Sequence, residues 1–228
     1  MTKSIVAFQS ADSLPAHLTQ GSGLGNENVS AADMAIPTLA LAQALSPEIK
    51  KSDSKYIKGL ELGHIFNKLT GDFHDSVFVL NLKFETGFTV FKKREHGSGY
   101  EGNHPTEAAA VQHMADNELV VAHYDIVETA LHTVALLDET GQNPTVAQIY
   151  MAGANKKISD GWNTALAGYD CDRFSTVWTL SSVEETNRKG QGYQVFKPTW
   201  AGYAGEELNK EAKATYFAIK GLTDPAIH

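Results

Sequence analysis

The stretch Val77–Phe84, reading VFVLNLKF, constrains the fold more than any other part of the chain. Successive side chains of a strand point to opposite faces. Val77, Val79, Asn81 and Lys83 therefore fall on one side and Phe78, Leu80, Leu82 and Phe84 on the other. One wholly apolar face is the mark of a half-buried strand. Phe88–Lys93 repeats the alternation, and Glu85-Thr86-Gly87 between them predicts a turn. His64–Leu69, closed by Thr70-Gly71-Asp72, predicts an earlier strand, so the region reads as an antiparallel meander.

The same arguments extend along the chain. Leu39 and Leu41 after Pro37 predict a strand, Ser46-Pro47-Glu48 breaks it, and Tyr56–Leu62 predicts a short extended piece. His96–Asn103 reads as a glycine-rich loop. Thr106 caps a helix that runs toward Asn117. Leu119–Leu137 predicts two strands broken near Asp125–Glu128, and Val146–Met151 another. Ile158, Trp162, Ala165 and Leu166 lie at helical spacing within Asn155–Gly168. Phe174–Val183 predicts a strand, Glu184–Gly192 a polar loop and Tyr193–Phe196 its return. Glu206–Lys220 predicts a helix stopped by Gly221. The sum is an α+β fold: a mainly antiparallel sheet, meander or barrel-like, with about three helices and no βαβ rhythm. Residues 31–228 read as a single domain, preceded over residues 1–30 by a flexible arm rich in Gly and Asn.

Composition narrows the function. At 228 residues with 42% hydrophobic content, the chain is long enough to bury a core without staples. It has no apolar run that could span a bilayer and no continuous apolar stretch of a secretory signal, so the expectation is a host-cytoplasmic protein with no membrane partner. One cysteine, Cys171, excludes an internal disulfide framework, and flanking Asp170 and Asp172 oppose its activation. The net charge of -8 excludes a histone-like duplex binder. The negative charge is concentrated: nine acidic residues and no Lys or Arg lie between Glu95 and Asn155. The nine histidines show neither HExxH nor helical pair spacing, so no metal or other cofactor is expected. Nucleophile elbows and phosphate loops are absent, and the chain reads as non-enzymatic.

What stands out is cations beside aromatics and glycine near turns. Lys92, Lys93 and Arg94 follow Phe91 and precede Tyr100. Lys156 and Lys157 precede Trp162. Arg188 and Lys189 precede Tyr193, Lys197 and Trp200. Single-stranded nucleic acid needs this combination, because phosphates take Lys or Arg and unstacked bases take flat side chains. Phe91, Phe196 and Trp162 fit a core better than a stacking surface, whereas Tyr100 and Tyr193 are placed for exposure. About four phosphate contacts would give a log–log salt slope near -3.

Several segments carry a resemblance. They are Pro15-Ala16-His17-Leu18, Gly23-Leu24-Gly25, Ile36-Pro37-Thr38-Leu39, Gln43–Glu48, Gly63–Asn67, Trp178-Thr179-Leu180-Ser181, Asn187-Arg188-Lys189-Gly190 and Tyr193. With them the chain resembles a family of tailed-bacteriophage proteins similar to the single-stranded-DNA-binding RNA polymerase cofactors of podoviruses, the Drc group. The resemblance implies a fold distinct from standard single-strand binders and a role at locally melted promoters. It implies partners in single-stranded DNA and in phage RNA polymerase or replication proteins. A structural or assembly protein that forms homo-oligomers is the competing expectation, and a small-molecule enzyme a third.

Overall fold

The computed structural model describes residues 35–222, with Ser98 and Glu139 excepted. The arm expected over residues 1–30 lies outside them. The described residues form nine strands and three helices in an α+β arrangement. The strands are β1 (Thr38–Leu41), β2 (Ile65–Asn67), β3 (Phe73–His74), β4 (Ser76–Lys92), β5 (Gly99–His104), β6 (Tyr124–Leu136), β7 (Thr145–Ala152), β8 (Thr176–Thr186) and β9 (Gly192–Tyr203). The helices are α1 (Glu107–Asp116), α2 (Ala154–Ala167) and α3 (Glu206–Leu222).

All nine strands join one curled sheet in the order β3-β2-β1-β7-β6-β4-β8-β9, with β5 branching from β4. Pairing is antiparallel except between β1 and β7. β4 is the spine. Its 17 residues carry β6 along one edge from Val79 to Lys92. On the other edge β8 takes Ser76–Leu80 and β5 takes Phe88–Lys92.

The expected turn at Glu85-Thr86-Gly87 is instead the middle of this strand, paired to Leu131, Ala130 and Thr129. Gly87 is a packing glycine, because a Cβ there would meet the His104 carbonyl oxygen at 3.2 Å. The loop expected over His96–Asn103 becomes β5, in which Gly102 adopts φ +136° beside a bulge, a conformation costly for any residue with a Cβ. The two strands expected within Leu119–Leu137 are one, β6, because an unbroken β4 offers it a continuous partner. Tyr56–Leu62 forms turns rather than an extended piece, and Ile57 and Leu60 pack beside Ala42 and Phe66. β8 and β9 run further into the expected polar loop and leave only residues 187–191 as turn. α3 continues through Gly221 to Leu222.

β4 is buried on both faces, which simple alternation does not anticipate. Val77 and Val79 join Ile149, Trp162, Trp178 and Leu180 in the main core under α2. Leu80 and Leu82 face the opposite way, against Phe174, Ala212 and Ile219 under α3. A bulge between Asn81 and Lys83 inserts Leu82 and reverses the alternation beyond it. Phe84 therefore packs on the Val79 side rather than with Leu82, and Phe78 is exposed. Farther along, Val90 packs on Ala110 and Met114 of α1. The Thr106 cap forms as expected, its hydroxyl accepting the Ala109 N–H at 3.1 Å.

The curl brings β1 to β9. The Gln43 side chain donates to the Gln194 carbonyl at 2.8 Å and accepts from the Gln194 N–H at 2.9 Å. Ser182 Oγ donates to the Gly63 carbonyl at 2.6 Å. Side chains, rather than a strand ladder, thus close this seam.

Candidate nucleic-acid interface

The most perturbed titratable group is structural. His132 is wholly buried between Phe84 and Trp162. Arg173 Nε donates to Asn81 Oδ1 at 2.7 Å, which turns the Asn81 amide N–H toward His132 Nδ1 at 2.9 Å. Nδ1 is therefore an acceptor, and the ring proton sits on Nε2, which donates to Ser159 Oγ at 2.7 Å. Burial, and then the Arg173 charge, push the imidazole down to about 3. Arg173 also donates to Asn163 Oδ1 and lies 5.6 Å from the Phe84 ring centre. These bonds satisfy both ring nitrogens of His132, while the buried Trp162 Nε1 beside it has no partner among the described residues, and a side chain with no exposed surface meets no substrate.

The sequence-predicted site residues fall into three places. The first is the far end of β4 and β5. Tyr100 is 61% exposed and meets Phe91, 36% exposed, edge to face with ring centres 6.3 Å apart. The bulge in β5 lets Tyr100 and Asn103 stand on the same face as Phe91 and Thr89. Lys92 follows Phe91 on the opposite face of β4, paired to Gly99 and Tyr124, Arg94 lies just past the strand end, and neither makes an ion pair among the described residues. Lys93 is committed otherwise: its ammonium donates to the Ala122 carbonyl at 2.8 Å and lies 3.7 Å from Asp125.

The second place is the α2 start with the β8–β9 turn. Lys156 pairs with Asp160 at 2.7 Å and Glu128 at 3.3 Å, and these carboxylates hold its pKa up. Lys157 and Tyr193 share a cleft with Glu185, Trp162 and Pro198. Tyr193, expected to be exposed, is half-buried and donates its hydroxyl to Glu185 at 3.0 Å. Arg188 and Lys189 are exposed at the turn, near Glu184 and Glu185 at the ends of the same hairpin. The third place is β9 itself, where Lys197 is exposed. Trp200, 46% exposed, stacks parallel on Tyr169 at 6.2 Å and meets Tyr203 edge-on at 5.8 Å. Phe196 and Trp162 are core residues, as their spacing predicted.

The first place, like the second, adjoins a cleft with both aromatic and polar walls, and there the ring at the mouth, Tyr100, is exposed rather than tied to a carboxylate. A cleft of about 500 Å³ runs from the Phe91–Tyr100 lip past Asn103, Thr129 and Tyr150 to Lys68 and Asn155. Thr89, Thr129 and Tyr150 alternate with core residues Val90, Ala130 and Ile149, so they face away from α1 and α2. Burial, with Tyr100 adding to it, raises the Tyr150 hydroxyl's pKa above that of a free tyrosine. Lys68, Asn103, Thr129 and Tyr150 escaped the sequence reading, because four separate strand regions contribute them and no local cluster of sequence signals a shared wall.

A family model described as Pam3 phage gp34-like protein matches residues 8–224. The chain belongs to this phage protein family. No curated protein and no solved structure matches it significantly. Membership in the gp34-like family establishes the phage origin that the resemblance implied, and it bears on neither DNA binding nor the polymerase cofactors. No helix among the described residues is long and apolar enough to cross a membrane.

Proposed function

We propose that this phage protein binds single-stranded DNA, largely independently of sequence, in phage transcription or replication. The Drc-like role of bringing in a phage RNA polymerase is part of that proposal. The reading is carried by one observation: two exposed rings, Phe91 and Tyr100, stand at the mouth of a cleft that Lys68 also lines. Tyr100 offers a face for a base, Lys68 takes a phosphate in the cleft, and Lys92 and Arg94 take phosphates where the strand leaves it around the end of β4. The acidic centre supports rather than opposes this division, since Asp125 and Glu128 neutralise Lys93 and Lys156 and leave Lys92 and Arg94 as the cationic strip.

Three phosphate contacts give a log–log salt slope of about -2, at roughly -0.7 per contact. Fluorescence anisotropy with a labelled single strand of about 30 nucleotides, against the matching duplex at two salt concentrations, tests the reading. Tyr100→Ala is expected to weaken single-strand binding about 5- to 100-fold, from about 1–3 kcal/mol per stacked base. Absence of binding at low salt, or an unchanged affinity in Tyr100→Ala, refutes it.

A second reading rests on Trp200 and Tyr203, exposed on the terminal strand of the sheet, with the half-buried Tyr169 packed against both rings. Such a patch suits self-association in a structural or assembly role. Under it, Trp200→Ser lowers the oligomeric mass in size exclusion and leaves single-strand affinity unchanged.

A further inference from the structure

The cleft behind Tyr100 is polarised in its hydrogen bonding. The Thr89 hydroxyl donates its single proton to Asn103 Oδ1. Thr89 must then be the acceptor in its 2.7 Å contact with the Thr129 hydroxyl. Because Asn103 Oδ1 is the accepting end, its amide nitrogen donates: one N–H goes to the Tyr150 hydroxyl, and the second is left for other partners. Asn155 is oriented in the same sense: its Oδ1 accepts the Phe196 N–H at 2.8 Å, and its Nδ2 is left over. Gln43 spends its oxygen on the Gln194 N–H and one amide proton on the Gln194 carbonyl, so what remains is again a donor. Lys68, at the opposite rim, has only donors. The unspent amide and ammonium groups around this cleft are thus N–H donors, and Phe91, Tyr100, Tyr150 and Phe196 supply its apolar walls.

A slot of this kind suits a flat, neutral ring with carbonyl oxygens at its edge. Thymine has two such oxygens and no amine. Cytosine and adenine each turn an exocyclic amine toward these N–H donors, which leaves that amine and the donor facing it unpaired. We infer that the cleft receives one base turned out of the bound strand and selects thymine over cytosine and adenine. The inference rests on the single-strand reading and adds a base preference to it.

Decamers of dT, dC and dA, titrated by anisotropy against the full chain, provide the test. The expected result is tighter binding of dT than of dC or dA, by about fivefold or more. Asn103→Asp and Asn155→Asp keep the oxygens that hold Thr89 and Phe196 and replace the free donor with an acceptor. The new charge weakens binding to every strand, so the ratio of dT to dC affinity is the quantity to compare, and it is expected to fall toward one. Binding of all three decamers with equal affinity by the unaltered chain overturns the inference and leaves the single-strand reading standing. A dT preference that persists in both variants also overturns it. Failure to bind any decamer at low salt removes the single-strand reading and the inference together.

Discussion

Lowering the pH from 7.5 to 5 should destabilise this protein through one buried side chain. His132 holds its imidazole neutral in the folded state, with a pKa of about 3 against an ordinary value of 6.5. The unfolded chain binds a proton there that the folded chain refuses. A depressed folded pKa contributes stability that is complete above 6.5 and is lost as the pH falls toward 3. At about 1.4 kcal/mol per pH unit, the loss is about 2 kcal/mol at pH 5 and about 3 kcal/mol at pH 4. For a domain of this size, about 2 kcal/mol corresponds to a fall in Tm of roughly 4–8 °C. Thermal unfolding followed by circular dichroism at the two pH values measures this. His132→Gln supplies the reference, since it removes the titration while keeping a donor and an acceptor in the cavity. It should be less stable at pH 7.5 and lose less on acidification. A wild-type protein whose Tm falls no more steeply than that of His132→Gln refutes the reasoning. So does an imidazole NMR signal of His132 that titrates near 6.5.

Gln43→Ala removes both Gln43–Gln194 bonds of the β1–β9 seam and should cost about 1–3 kcal/mol in urea unfolding, with the far-ultraviolet spectrum retained. Gly63→Ala acts at the same seam, because φ there is +88° and a new Cβ would lie 3.0 Å from Ser182 Oγ. It should lower stability by about 1–3 kcal/mol in the same assay. Thr106→Ala deletes the α1 cap and should cost about 1 kcal/mol, measured as a shift in Tm.

Sequence periodicity located β1, β2, β7, the three helices and the Thr106 cap, because each depends on neighbours within a few residues. It failed where a distant partner decides. Gly87 and Gly99 are turn residues by composition, yet they lie in strands because β5 and β6 line up beside β4. The Leu82 bulge follows from a register between residues about fifty positions apart, and no local pattern encodes it. The candidate site divides the same way. Exposure of Tyr100 and burial of Phe196 and Trp162 were legible from their positions, whereas Phe91, expected in the core, is 36% exposed because the Leu82 bulge turns it to the face opposite Val90. The engagement of Lys93, Lys156 and Tyr193 with Asp125, Glu128 and Glu185 arises from cross-strand or helix–sheet packing.

The parallel pairing of β1 with β7 has a consequence for synthesis. Thr38 meets Gln148, and its strand can find that partner only after all the intervening residues have been made. At roughly 5–20 residues per second this is a wait of about 5–20 seconds, during which β1 to β3 have left the ribosome with no sheet to join. β4 and β6, by contrast, adjoin each other soon after emergence and can serve as the template. The order of assembly on the ribosome should therefore run from the middle of the chain outward. A chaperone would find its substrate in the segment that carries β1 to β3.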